Sequence, residues 1–99
     1  MLKVLSFTVL VLISQAAMSA QLTGDYPICF SYSSLKEIWT ALTNNDQRQV
    51  AAIIKGGDCI KPKKGIEVSF ISRIGVVEKI RVYAGNESVE MYTIPGAYE

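Results

Sequence analysis

The sequence predicts an α+β domain in which a short N-terminal helical hairpin precedes a three-stranded antiparallel meander or small barrel, stapled by one disulfide. Apolar residues recur at helical spacing before the segment 56–65 and alternate as in strands after it. The chain has two cysteines, and Cys59 lies inside the segment where the period changes, while Cys29 lies upstream of the helices. Together, these observations indicate a helical layer and a sheet joined by a tethered hinge.

Residues 1–20 have the order of a secretory signal peptide. Lys3 supplies a positive charge, and an apolar run and a stretch of small and polar residues follow. Ala17 and Ser19 fit the small-x-small rule, which predicts cleavage near 19/20. The alternative is a membrane anchor, but the apolar run is only about ten residues and a span needs roughly 20. We therefore expect residues 21–99 to form one small periplasmic or secreted domain, with no stable membrane insertion after cleavage.

Export implies an oxidising compartment, in which an even number of cysteines predicts a disulfide. Two cysteines allow one pairing, Cys29–Cys59, which closes a loop of about 30 residues and would stabilise the fold by roughly 3–4 kcal/mol in the chain-entropy model. The alternative is a metal site, which needs more ligands than two cysteines in a sequence without histidine. The sequence therefore predicts a disulfide, no metal site and no cofactor.

The charge balance argues against a nucleic-acid partner. Of 10 basic and 9 acidic residues, loss of Lys3 with the signal peptide leaves nine of each. A formally neutral chain has no global field that would attract nucleic acid or anionic lipid.

Two helices are predicted over about residues 33–56. The first begins at a capping box formed by Ser34 and Glu37. Its apolar stripe follows the i, i+3, i+4, i+7 spacing: Leu35, Ile38, Trp39 and Leu42. The second helix is capped by Asn45 or Asp46.

The second helix has an apolar face formed by Val50, Ile53 and Ile54. Ala51 and Ala52 are expected to allow close approach to the first helix. Gly56 is expected to take the left-handed conformation that commonly ends a helix. Both helices are short, so their stability depends on packing.

Three strands are predicted over about residues 65–95. Gly75 marks the first turn and Gly85-Asn86 the second, a strong hairpin signal. The adjacent Val76 and Val77 break the alternation, which favours a bulge there or a strand covered on both faces. The leading segment 21–30 is expected to be irregular or, if the sheet curls into a barrel, to add a strand.

The second half of the chain resembles a family of small exported bacterial proteins with SH3-like barrels. The residues that carry this resemblance form short segments: Gly57-Asp58-Cys59-Ile60, Gly65-Ile66-Glu67-Val68, Lys79-Ile80-Arg81-Val82 and Met91-Tyr92-Thr93. The resemblance covers about residues 45–94 and implies a small barrel used for binding, with no catalytic residues to carry over. Ile80 stands where the family usually has valine.

No catalytic constellation is present in the sequence. The acidic residues are spread singly at caps, turns and outward strand positions, and the commonest general base, histidine, is absent. A serine or cysteine nucleophile would therefore lack its usual partner. We expect a protein that is not an enzyme.

Two groups of residues are candidates for a binding surface. Tyr83 and Tyr92 lie on neighbouring predicted strands, on one face, where tyrosines would form an amphipathic platform if exposed or core if covered. Lys61, Lys63 and Lys64 form the densest charge cluster, which could contact an acidic group or be a solvated turn.

The function that these features favour is non-enzymatic binding to a protein or cell-envelope component in the periplasm. An alternative is an inhibitor or immunity-type protein that blocks a secreted enzyme such as a cell-wall hydrolase. A protruding loop at 61–65 or 85–88 would favour the inhibitor, and an exposed tyrosine face would favour the binding module.

Overall fold

A computed structural model describes residues 20–99, which form an α+β fold of two helices and a six-stranded antiparallel sheet. The predicted signal peptide lies outside these residues except for Ala20. The elements in chain order are β1 (Ala20–Gln21), β2 (Ile28–Cys29), α1 (Tyr32–Thr43), α2 (Gln47–Lys55), β3 (Cys59–Ile60), β4 (Glu67–Ile74), β5 (Val77–Ala84) and β6 (Glu87–Thr93).

The sheet has the strand order β1-β4-β5-β6-β2-β3. Its centre is the predicted meander of β4, β5 and β6, and the leading segment adds strands, as the alternative prediction allowed. The predicted N-terminal position of the helical hairpin was wrong, because β1 and β2 precede both helices, and β3 was not predicted. Three two-residue strands extend the sheet: β1 and β2 of the leading segment pair with β4 and β6, and β3 of the hinge pairs with β2. Strands this short have too few residues to show alternation, so periodicity could not reveal them.

Both turns of the meander contain two residues and begin with glycine. Gly75 has φ +61° and Gly85 has φ +66°, a conformation that glycine adopts without a steric penalty. Two-residue turns of this kind match the twist of the flanking strands. The predicted turn positions are therefore confirmed.

The irregularity in the meander is a bulge at Ile71 of β4. This residue has no partner on β5, whereas its neighbours Phe70 and Ser72 pair with consecutive residues there. The sequence predicted a bulge at Val76 and Val77 or a strand covered on both faces. The bulge does not lie there, because Val76 belongs to the turn, but β5 is covered on both faces at its start, where Val77 and Glu78 are both buried. Before the bulge Phe70 is opposite Ile80, and after it Ser72 is opposite Lys79. The extra residue therefore moves the remaining even-numbered residues of β4 to the other face of the sheet.

The helix ends differ from the predicted ones by one to three residues. Ser31, not Ser34, caps α1, and its side chain accepts a hydrogen bond from the Ser34 N–H at 3.2 Å. Asp46 caps α2 as predicted, accepting from the Gln49 N–H at 3.1 Å. Gly56 has φ −67°, and the left-handed position after α2 is taken by the next residue, Gly57, at φ +94°.

One face of the sheet, here called the inner face, carries the first core. Its buried residues come from the long strands and from the leading segment: Leu22, Ile28, Val68, Ile80, Val82 and Met91. The two ends of the described chain close this core by pairing with each other. Gln21 and Glu99 exchange two backbone hydrogen bonds of 2.9 Å, and the Thr23 N–H donates to the Ala97 carbonyl.

The opposite face, here called the helix face, packs against α1 and α2 in a second core. Its buried residues are Cys29, Leu35, Ile38, Cys59, Val77 and Ile94. Trp39 and the apolar residues of α2 are only partly buried against this cluster, and α2 has no fully buried residue. The expected role of Ala51 and Ala52 in helix contact was wrong, because both are exposed.

The predicted disulfide is confirmed. Cys29 and Cys59 face each other across β2 and β3 with their Cα atoms 4.0 Å apart, and the bridge is fully buried in the second core. It ties the hinge after α2 to the sheet beside α1. A hydrogen bond of 2.6 Å from the Ser31 hydroxyl to Asp58 Oδ2 adds a second link at the same place.

Candidate functional site

A cleft opens on the helix face where the start of α1 meets the sheet. It has a volume of about 130 Å³ and is lined by Tyr32, Ser72, Ile74, Val77, Lys79 and Tyr92. We call it the tyrosine cleft. Sites for small-molecule ligands usually have volumes of about 300–1,000 Å³. This cleft therefore has the size for one inserted side chain.

The bulge in β4 builds one wall of the cleft. Without it, Ser72 and Ile74 would follow Val68 and Phe70 onto the inner face. With it, Ser72 lies opposite Lys79 and Ile74 opposite Val77, both on the helix face. Bulges commonly occur at sheet edges and beside functional sites, where they re-aim side chains.

The aromatic wall consists of Tyr32 from α1 and Tyr92 from β6. Their rings meet edge to face with centroids 6.2 Å apart, a favourable arrangement for aromatic pairs. A cation stands over each ring: Lys36 Nζ lies 5.6 Å from the Tyr32 centroid, and Lys79 Nζ lies 5.9 Å from that of Tyr92. The cleft therefore combines apolar walls with a basic rim.

The basic rim is partly neutralised by one carboxylate. Glu90 accepts from Lys79 Nζ at 3.0 Å and from the Arg81 guanidinium at 3.2 Å. The hydrogen bond with Glu90 raises the pKa of Lys79. The hydrogen bonds that Glu90 accepts from Lys79 and from Arg81 lower the pKa of Glu90. Both groups therefore stay charged near neutral pH, and two cations share one anion.

Tyr83 and Tyr92 lie on the same face of the sheet, but they do not form one continuous platform. Tyr92 pairs with Lys79 of β5, and Tyr83 lies four residues beyond Lys79 on the same strand, a distance of about 13 Å. The Arg81–Glu90 ion pair lies between them. Tyr83 is 40% exposed and its hydroxyl shares a hydrogen bond of 3.0 Å with Ser69, whereas Tyr92 is half-buried. Their role in binding stays a prediction.

The three lysines of the hinge are exposed, but the structure does not place them at the tyrosine cleft. Lys64 instead lines a separate polar cleft, together with Gln21, Leu22, Thr23, Asp25 and Glu99. Pro62 between them is buried, and the Gly65 N–H donates to the Leu22 carbonyl. The hinge is therefore held against the leading segment. The loop at 85–88 is reduced to a two-residue turn, since Glu87 already belongs to β6.

The outer side of β4 is a further feature that the sequence did not reveal. β1 pairs only with Glu67 and Val68, so within residues 20–99 no strand covers the edge from Ser69 to Ile74. We call this segment the β4 edge. Three exposed apolar side chains lie along it and in the following turn: Phe70 (54% exposed), Ile74 (64%) and Val76 (44%). The available signal in the sequence was the pair Ile71 and Ile74, which weakens the apolar–polar alternation after Phe70.

The carboxylates that make described contacts each have a structural partner. Glu78, only 2% exposed, accepts from the Tyr98 hydroxyl at 2.7 Å and pairs with Arg73. Burial, and then the hydrogen bond to Glu78, raise the pKa of Tyr98 to about 12. Hydrogen bonds from Ser31 and then Ser34 lower the pKa of Asp58. Within the described part of the chain, no three metal-binding side chains come together.

The chain matches no protein-family model, and searches of curated proteins and of solved structures found no similar chain. Between residues 20 and 99, no helix has both the length and the apolar character needed to cross a membrane.

Proposed function

We propose that this protein is a non-enzymatic exported binding module that acts in the periplasm on a protein or cell-envelope component. The observation that carries the proposal is the tyrosine cleft, in which apolar and aromatic walls open beside exposed Ile74 and Val76. Tyrosine and clustered exposed apolar residues are typical of interaction surfaces. The cleft is too small for most metabolites and has the size of a single anchoring side chain.

Two further observations support the proposal. Each carboxylate that forms a hydrogen bond or an ion pair within residues 20–99 does so in a helix cap, with a hydroxyl group or with a cation, and each of these contacts stabilises the fold. The buried disulfide suits an oxidising compartment. The pairing of 21–23 with 97–99, beside the meander, supports the expected small SH3-like barrel, because the terminal segments and the long strands surround one core.

The experiment that tests this function is affinity capture from a periplasmic and envelope extract with the oxidised protein immobilised. Ile74→Glu places a charge at the mouth of the cleft. Ile60→Glu is the matched control, because Ile60 is also an exposed isoleucine but lies on β3, at the opposite edge of the sheet. We expect a partner that the wild type and Ile60→Glu retain and Ile74→Glu loses.

A partner retained equally by both variants, or no retained partner, would contradict binding at the cleft. If the retained partner is an enzyme whose activity falls on addition of the protein, the inhibitor alternative replaces the binding module.

A further inference from the structure

We propose that the β4 edge and the tyrosine cleft together bind an extended segment of another protein, which adds a strand beside residues 69–74 and inserts one large apolar side chain into the cleft. This inference rests on the proposed binding function and specifies its partner. An exposed strand edge offers unpaired N–H and C=O groups, and strand addition combines such backbone bonds with pockets for alternate side chains.

The first step is that the β4 edge and the tyrosine cleft are continuous with each other. Ser72 and Ile74 belong to the β4 edge and also line the cleft. A strand laid against this edge would direct every second side chain toward the helix face, because side chains alternate between the two faces of a sheet. One of these would then meet the tyrosine cleft, whose volume of about 130 Å³ accepts it.

The second step is the bulge at Ile71. A bulge can protect an edge by twisting it away from other strands. Here it also turns Ser72 and Ile74 toward Tyr32 and Tyr92, so the cleft exists because of it. The bulge therefore restricts pairing to a short segment and favours a partner whose side chain fits the cleft over unselective edge pairing.

The third step is charge. The side chains that contact the two tyrosine rings or their ionic partners include three cations, Lys36, Lys79 and Arg81, and one carboxylate, Glu90. A partner segment with a carboxylate next to its apolar anchor is complementary to this excess of positive charge. A second copy of this chain is a less complementary partner, because pairing two β4 edges would bring the cations of one copy toward the same cations of the other.

The test is selection of random linear peptides displayed on phage against the oxidised protein, with counter-selection against Ile74→Glu. We expect enriched peptides with a large apolar or aromatic residue and an acidic residue near it, and no helical apolar spacing. A synthetic peptide of the enriched sequence should slow amide hydrogen exchange at residues 69–74. Its affinity should fall by about tenfold or more in Ile74→Glu and stay within about twofold in Ile60→Glu.

Lys79→Ala removes the partly exposed ion pair with Glu90 and should weaken binding of the acidic peptide more than binding of its alanine-substituted form. The proposal is overturned if no peptide is enriched over the counter-selection or if bound peptides protect amides elsewhere. It is also overturned if sedimentation shows a dimer of this chain that Ile74→Glu abolishes. A partner captured through Ile74 without protection of the β4 amides would overturn strand addition and leave the proposed function standing.

Discussion

The two faces of the sheet are closed in different ways. On the inner face, side chains from three long strands meet Leu22 and Ile28, and the two terminal segments pair to seal the core. On the helix face, the covering helices include α2, which buries no residue fully, and the cover stops short of Tyr83 and Arg81. From this difference we expect the inner face to contribute more to stability, while the proposed binding surface lies on the helix face.

What holds each face also differs. The inner face relies on apolar burial and on backbone pairing between segments far apart in sequence. The helix face has its own apolar cluster and two further links to the hinge after α2: the disulfide from β2 and the hydrogen bond from Ser31, the cap of α1, to Asp58. Substitutions on the two faces should therefore have separable effects.

The largest effect is expected for Ile80→Ala, at the centre of the inner face. Ile80 has no exposed surface, and truncating a buried isoleucine usually costs about 2–5 kcal/mol of unfolding free energy. Ile74 lies on the helix face and is 64% exposed, so Ile74→Ala should change the unfolding free energy by less than about 0.5 kcal/mol. Urea unfolding measures both, and similar losses would contradict the difference in burial between these two positions.

Next in size is the loss of the disulfide. Cys29→Ala with Cys59→Ala should lower the unfolding free energy by about 3 kcal/mol, since the bridge closes a 30-residue separation. The loss should appear first in the helices, because the bridge lies in the second core. Amide exchange that accelerates equally in α2 and β5 would argue that both faces open together.

A smaller effect is expected from Tyr98→Phe, which removes the hydroxyl bonded to buried Glu78. The loss at neutral pH should be about 1 kcal/mol. The pKa of Tyr98 is raised from 10.0 to about 12, so its contribution is fully present below pH 10 and is lost as pH rises toward about 12.

The measurement is the urea midpoint of both proteins between pH 9 and about 12. The wild-type advantage over Tyr98→Phe should shrink with rising pH. An advantage that is constant over this range would show that the hydroxyl does not titrate against Glu78.

A loss of similar size, about 1 kcal/mol, is expected for Ser31→Ala, because Ser31 caps α1 and also donates to Asp58. Ser33→Ala is the control, as Ser33 is exposed in the first turn of the same helix. Because the pKa of Asp58 is lowered, the Ser31 contribution should persist above its ordinary value of 3.8 and decline as pH falls below it. Equal losses in the two variants would contradict the capping role.

Periodicity and turn residues predicted the parts of the fold that repeat a local pattern. The two helices, the meander of β4 to β6 and its glycine turns followed from spacing alone, and cysteine count predicted the disulfide. The pairing of Gln21 with Glu99 could not be predicted in this way, because it joins two short segments from opposite ends of the domain.

The candidate site was predicted only in part. Tyr92 was identified, but its ring partner Tyr32 comes from α1, and the contact between α1 and the sheet depends on tertiary packing. The bulge that aims Ile74 at the cleft showed in the sequence only as a weakened alternation. Lys61, Lys63 and Lys64 were chosen for charge density, a property that does not report where a turn packs.

The separation of the two faces is tested most directly by residue-resolved native-state hydrogen exchange of the oxidised protein. We expect the amides of β5 and β6 to exchange only through global unfolding and those of α2 to exchange through openings of lower free energy. Reduction of the disulfide should widen this gap. A single opening free energy shared by α2, β5 and β6, before and after reduction, would show that the two faces form one cooperative unit and contradict the account.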